Sequence, residues 1–307
     1  MNRTGPDWLH DRIAAGELVI IDGATGSELE ARGVPMVQKG WSVLAQLEYP
    51  DILRTLHEDY IRSGASVIIT NTFGAGRHLL EPGGLGDRVA EAHTSAVQIA
   101  RQACEAADGE VAVAGSISTY MADHDDPHWL GRLDETYREQ VALLVDAGVD
   151  LIALEMIQQP DISMPAVHAA LESGLPVWVG VSAQRIADRG DEIVTLDNPE
   201  VGLDEIVDLV VAEPIGVLSV MHTSVPDTGP ALDLVRGRWS GPMGAYPEAG
   251  YFEEPHWQLV DIIEPATLVK AARGWIGQGV QIVGGCCGLG ADHIRALTDG
   301  LAADRQA

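Results

Sequence analysis

Three things are scarce in this chain: cysteine, basic residues and long apolar runs. Only three cysteines occur in 307 residues, two of them adjacent, so no disulfide framework replaces a hydrophobic core. Basic residues number 19 against 46 acidic ones, a net charge of −27. That balance argues against nucleic acid and anionic membrane as partners. It mildly favours a cationic substrate, although salt screens surface fields within about 8–10 Å, and an adaptation for solubility accounts for it as well. The apolar runs are far too short to span a bilayer, and the opening residues, Met1-Asn2-Arg3-Thr4-Gly5-Pro6, hold no signal-like apolar stretch. The expectation is a cytoplasmic protein. No linker-like or low-complexity segment interrupts residues 1–307, which read as one domain.

Hydrophobic residues are plentiful, at 46%, and they are arranged in alternation. Strand-like runs at 17–22, 66–71, 111–115, 150–155, 176–181, 215–220, 242–245 and 280–283 are separated by segments of helical period. One of these, 51–63, places Ile52, Leu53, Leu56 and Tyr60 on a single face. Segment 87–106 carries Cys104, read as packing, and the helix near 231–235 reads as short. Residues 121–129, with His124 and His128, and residues 182–199 read as polar connections. Eight strand–helix repeats with continuous apolar strands predict a single (β/α)₈ barrel. The rival is a doubly wound open sheet, but Asp22-Gly23-Ala24-Thr25-Gly26 does not match its glycine-rich nucleotide turn.

The last strand ends in Gly284-Gly285-Cys286-Cys287-Gly288. Neighbouring side chains of a strand point to opposite faces, so two adjacent thiols reach one centre only where the strand breaks. Glycine permits such a break. Zinc is the first candidate guest for two converging thiolates. A pair of buried small hydrophobes, or a phosphate-cradling turn, fits the same residues; a disulfide between neighbours would be strained. In a barrel all strand C-termini open on one face, where active sites form. Asp22, Asn71, Thr72, Ser116, Glu155, His222, Tyr246, Glu248, Cys286 and Cys287 all stand at such ends. His222 then supplies a third ligand, and a Cys₂His set with an open fourth position suits a catalytic zinc.

Here the chain resembles the zinc-dependent homocysteine S-methyltransferases, a family that includes betaine– and S-methylmethionine–homocysteine methyltransferases. The resemblance rests on the double-cysteine signature at 284–288 with His293-Ile294 beyond it. It also rests on Asp22-Gly23-Ala24-Thr25-Gly26, Asn71-Thr72-Phe73, Ala114-Gly115-Ser116-Ile117, Leu154-Glu155 and Tyr246-Pro247, met in that order. It implies a zinc site of His222, Cys286 and Cys287, and an acceptor site drawn from Asp22, Gly23, Thr72, Ser116, Glu155 and Tyr246. Asp22 and Glu155 take the catalytic places, with Glu155 pairing the acceptor's ammonium. Three departures stand out. His222 replaces the family's third cysteine, Glu248 replaces the asparagine of Tyr-Pro-Asn, and Gly288-Leu289-Gly290-Ala291 replaces the usual Gly-Thr-x-Pro. Two thiolates plus imidazole leave Zn²⁺ neutral where three thiolates would leave −1. The implied reaction moves a methyl group from a small sulfonium or ammonium donor (S-methylmethionine, S-adenosylmethionine or betaine) to a thiol such as homocysteine, since cobalamin or folate modules find no room. A barrel that binds a metabolite without methyl transfer, or a zinc hydrolase activating water, remains the alternative.

Overall fold

Alternate residues of each apolar run face opposite sides. In the computed structural model, which describes residues 6–120 and 126–304, that alternation closes eight parallel strands into a barrel. They are β1 (Val19–Ile20), β2 (Val67–Ile69), β3 (Ala112–Ser118), β4 (Leu151–Ile157), β5 (Val177–Val181), β6 (Val217–Ser224), β7 (Met243–Glu248) and β8 (Val280–Val283). The order around the sheet is β1-β8-β7-β6-β5-β4-β3-β2. The ring closes where Ile21 bridges Val67 and the Asp22 N–H donates to the Val67 carbonyl at 3.1 Å. One parity of residues, including Val19, Ile21, Val67, Ala112, Ala114, Leu151, Ala153 and Ile282, packs the barrel interior. The other parity, including Ile20, Ile68, Val113, Ile152, Val177, Leu218 and Val283, packs against the surrounding helices. Each fully buried aliphatic side chain contributes about 1.5–3 kcal/mol, so both layers select the same register.

The helices form where the periodicity requires. Pro50–Arg62 begins with proline in its first turn and buries Leu53, Leu56, His57 and Tyr60. Leu133–Ala147 stops at Gly148, whose φ of 93° supplies a left-handed cap. Several segments differ from the sequence expectation, among them four that shape the barrel ends. Asp7–Ala14 is a helix; its Trp8, Leu9 and Ile13 plug the interior cluster, and Arg12 and Gln281 tie it to the strand starts. The connection after β5 contains an antiparallel hairpin, Ala183–Ile186 with Glu192–Thr195. The connection after β7 contains another, Tyr251–Glu253 with His256–Gln258. The helix expected near 231–235 runs over Val225–Arg236. Pro230 disguised it, while Ser224 caps it by accepting the Asp227 N–H at 3.3 Å. In the expected polar loop, residues 121–125 with His124 lie outside the described residues, and His128 is exposed. Cys104 is packed against the core, and burial pushes its thiol up to about 11. Among the described residues no helix is long and apolar enough to cross a membrane.

Candidate metal centre and substrate chamber

Two local irregularities aim side chains into the barrel mouth. β6 leaves its pairing with β7 between Met221 and Ser224, and His222 takes φ 43°. A non-glycine residue in that region costs about 1–3 kcal/mol, and bulges of this kind re-aim side chains beside active sites. β4 and β5 lose register between Leu154 and Ile157, where Met156 has φ 55° next to Glu155.

The double cysteine is held by its backbone. The Cys286 N–H donates to the Pro247 carbonyl at 2.7 Å, and the Ala249 N–H donates to the Cys287 carbonyl at 2.9 Å. At Gly284 a Cβ would lie 2.3 Å from Ile21 Cγ1 and 2.6 Å from the Asp22 carbonyl oxygen, and Gly288 has φ 77°. Only glycine allows this chain reversal against the loop after β1. As a result the two thiols converge, Sγ to Sγ at 4.0 Å, and His222 Nδ1 lies 3.3 Å from Cys286 Sγ. All three ligand atoms fall within 4.8 Å of one another.

That spacing fits a metal. Tetrahedral zinc with Zn–S of about 2.3 Å and Zn–N of about 2.0–2.1 Å sets sulfurs about 3.8 Å apart and sulfur and nitrogen about 3.6 Å apart. Soft thiolates with imidazole match zinc rather than magnesium or calcium. Without a metal, hydrogen bonding from Cys287 pulls Cys286 down to about 5 against the cost of burial, and His222 assists. Sharing that interaction, together with burial, pushes Cys287 up. Burial disfavours a charged His222, but Glu248 and Cys286 outweigh it and raise the imidazole. Metal uptake would therefore release protons. Glu248 is the residue sequence reasoning left without a role. Its Oε2 is 3.0 Å from His222 Nδ1, yet it is buried with no hydrogen-bond donor. The approach is thus electrostatic rather than along an N–H bond.

Beside the centre lies a chamber with about 200 Å³ of free volume, lined by Gly23, Glu155, His222, Tyr246, Cys286 and Cys287 among others. Asp22, Thr72 and Ser116 sit one layer deeper, at 1%, 0% and 0% exposure. Asp22 Oδ2 accepts the Ile69 N–H at 2.8 Å, and burial raises its carboxyl well above the usual range. Thr72 donates to the Ser116 carbonyl at 2.7 Å, and the Ser116 hydroxyl donates to Glu155. Burial lifts Glu155 to about 7, with the Ser116 bond opposing it. Burial also raises the Tyr246 phenol, and Glu155 and Cys286 add to the shift. Asn71, grouped by sequence with the site, is clamped by Ser42 and Gln46 and acts as a strut. The chamber's outer wall is aromatic, from Trp41, Phe73, Tyr120, Phe252 and Trp257. Neighbouring rings stand 6.2–6.4 Å apart, and Trp257 lies 5.5 Å from the His222 ring. Most of these come from connections whose structure sequence periodicity could not read.

A parallel barrel with a thiolate–imidazole centre at its C-terminal mouth defines a class of metal-site barrel enzymes. The profile of the homocysteine S-methyltransferase family matches residues 19–301, and the chain belongs to that family. It is 28% identical to S-methylmethionine–homocysteine S-methyltransferase of Pongo abelii, over 96% of this chain and 81% of that one. It is 29% identical to homocysteine S-methyltransferase of Escherichia coli, over 92% and 94% of the two chains. The crystal structure of metallated MmuM, a homocysteine methyltransferase from Escherichia coli, shares the fold with a TM-score of 0.77 at 24% identity, covering 95% and 98%. The protein is a methyltransferase acting on a thiol, and the hydrolase and non-enzymatic alternatives fall away.

Proposed function

We propose that this chain, acting as one barrel domain, is a zinc-dependent S-methyltransferase that methylates homocysteine or a close analogue from a small sulfonium or ammonium donor. The observation carrying this reading is the convergence of His222, Cys286 and Cys287 on one point beside Glu155 in a small chamber. His222, Cys286 and Cys287 would hold the zinc, which when bound supplies a site where an acceptor thiol, with an ordinary pKa of about 8.5, is held as thiolate at neutral pH. Glu155 pairs the acceptor's ammonium. Its burial keeps the empty site costly to ionise, and the incoming cation restores the charge. Ser116 fixes the Glu155 carboxylate through its hydroxyl, and Thr72 fixes Ser116 in turn. Asp22, buried near Glu155 and Cys286, offers a second carboxyl whose ionisation the arriving ammonium would favour. Gly23 and Tyr246 shape the walls.

In the transfer, a carbon–sulfur bond to the acceptor forms as the donor's bond from carbon to its onium atom breaks. The bonding pair leaves with the donor heteroatom, and the acceptor's thiol proton is given up. Charge is lost in that step, so the apolar aromatic wall favours it. The small free volume supports a compact donor, and the similarity to an S-methylmethionine-using relative supports a sulfonium. The test is a mass-read screen of thiols against S-methylmethionine, S-adenosylmethionine and betaine. A methylated amino-acid thiol is the expected product, and its absence for every pair would defeat the proposal.

A further inference from the structure

The chain has only two lysines, and one of them, Lys39, is the sole Lys or Arg among the described residues lining the chamber. It stands at the tip of a tight turn. Val37 and Trp41 exchange both backbone hydrogen bonds, at 2.9 and 2.8 Å, leaving Gln38, Lys39 and Gly40 between them. The turn's base is anchored by Trp41, whose ring packs edge-on against Phe73 at 6.4 Å and Phe252 at 6.2 Å. In a chain with 46 acidic residues, most arginines have carboxylate partners, as Arg77 does with Glu139 and Arg138 with Glu172. Lys39 is half-buried and has no ion-pair or hydrogen-bond partner among the described residues. A cation held on a fixed turn over an active chamber, with its counter-charge missing, is complementary to an anionic group of a bound molecule.

We propose that Lys39 is the receptor for the carboxylate that S-methylmethionine, S-adenosylmethionine and betaine have in common. This rests on the methyl-transfer reading above. In-line displacement puts the donor's leaving atom on the far side of the methyl carbon from the attacking sulfur. The rest of the donor therefore extends away from Cys286 and Cys287, past the aromatic wall, toward the rim. The onium centre meets ring faces, and the carboxylate meets Lys39. The acceptor's carboxylate is a poorer match. It shares a carbon with the ammonium assigned to Glu155, and Lys39 forms no ion pair with Glu155.

The experiment compares dimethylsulfonioacetate with trimethylsulfonium, which differ by the carboxylate, on zinc-loaded wild type, Lys39→Met and Lys39→Arg. Two readouts are taken: kcat/KM for methyl transfer, and equilibrium Kd from tryptophan fluorescence, which needs no turnover. Wild type is expected to favour the carboxylated donor by about 5- to 30-fold, the range of a partly exposed charged contact. Lys39→Met is expected to erase that preference and Lys39→Arg to keep most of it, with zinc content unchanged. An equal preference in Lys39→Met and wild type, or no preference in wild type, would overturn the assignment. So would a rise in homocysteine KM, in place of the donor effect, that vanishes with 3-mercaptopropylamine, because the carboxylate would then be the acceptor's. Loss of methyl transfer with the Kd difference intact would count against the proposed reaction and for Lys39.

Discussion

Replacing His222 by alanine removes the nitrogen that lies 3.3 Å from Cys286 Sγ and leaves two thiols 4.0 Å apart to hold a metal alone. Zinc sites with four protein ligands have apparent binding free energies of about 10–16 kcal/mol near neutral pH, or roughly 3–4 kcal/mol per ligand. Loss of His222 should then weaken zinc by about 10²–10³-fold, beyond the 10–100-fold typical of partners that only orient ligands. The variant also relieves the φ of 43° only in part, since alanine tolerates that region little better, so global stability should change less than metal affinity. Competition against a chromophoric chelator measures the affinity, and thermal unfolding of the metal-free proteins controls for folding. His222→Cys should keep zinc, because it restores three thiolates, and its net −1 centre should take up an acceptor thiol less readily at low pH. Wild-type zinc affinity in His222→Ala would refute the ligand assignment.

Three further perturbations test other parts of the structure. Glu155→Gln should raise homocysteine KM by about 10- to 100-fold, the worth of a charged hydrogen bond at about 1.5–3 kcal/mol, while zinc content stays near one per chain; an unchanged KM removes Glu155 from acceptor binding. Gly284→Ala would drive its Cβ to within 2.3 Å of Ile21 Cγ1 and should destabilise the fold by about 1–3 kcal/mol, read by denaturant titration; a neutral result means the turn is looser than described. His57 is fully buried with neither ring nitrogen partnered, and burial lowers it to about 3. The unfolded chain binds that proton near pH 6.5 and the folded chain does not, so stability falls as pH drops from 6.5 toward 3, by about 2 kcal/mol at pH 5. His57→Leu should flatten that slope by one proton, and parallel profiles for the two proteins would contradict the prediction.

Much of the barrel was legible because a parallel strand buried on both faces must be continuously apolar, and eight such runs recur. The convergence of His222, Cys286 and Cys287 was legible because strand ends share one mouth and adjacent cysteines after glycines are rare. Other features depend on contacts that no local pattern encodes. The helix Asp7–Ala14 is weakly amphipathic, and its purpose is visible only once the barrel it plugs exists. The backbone turn that points His222 inward, the contact of Glu248 with its imidazole, and the wall of Trp41, Phe252 and Trp257 come from bulges and long connections. Asp22 and Thr72 follow their strands as expected, whereas Ser116 lies inside β3, which runs on to Ser118. The three side chains are taken up by Ile69, Ser116 and Glu155 respectively, which position alone cannot disclose. Lys39 was unremarked in the sequence because a single lysine carries no motif; its lack of a partner is a property of three dimensions.

In the proposed reaction the acceptor's sulfur would join His222, Cys286 and Cys287 on one metal ion. Cobalt-substituted protein titrated with homocysteine tests it most directly. The expected result is a stoichiometric rise in sulfur-to-cobalt charge transfer, as a third thiolate enters a tetrahedral centre, that is absent with S-methylated homocysteine. A spectrum unmoved by homocysteine at concentrations that saturate methyl transfer would contradict it.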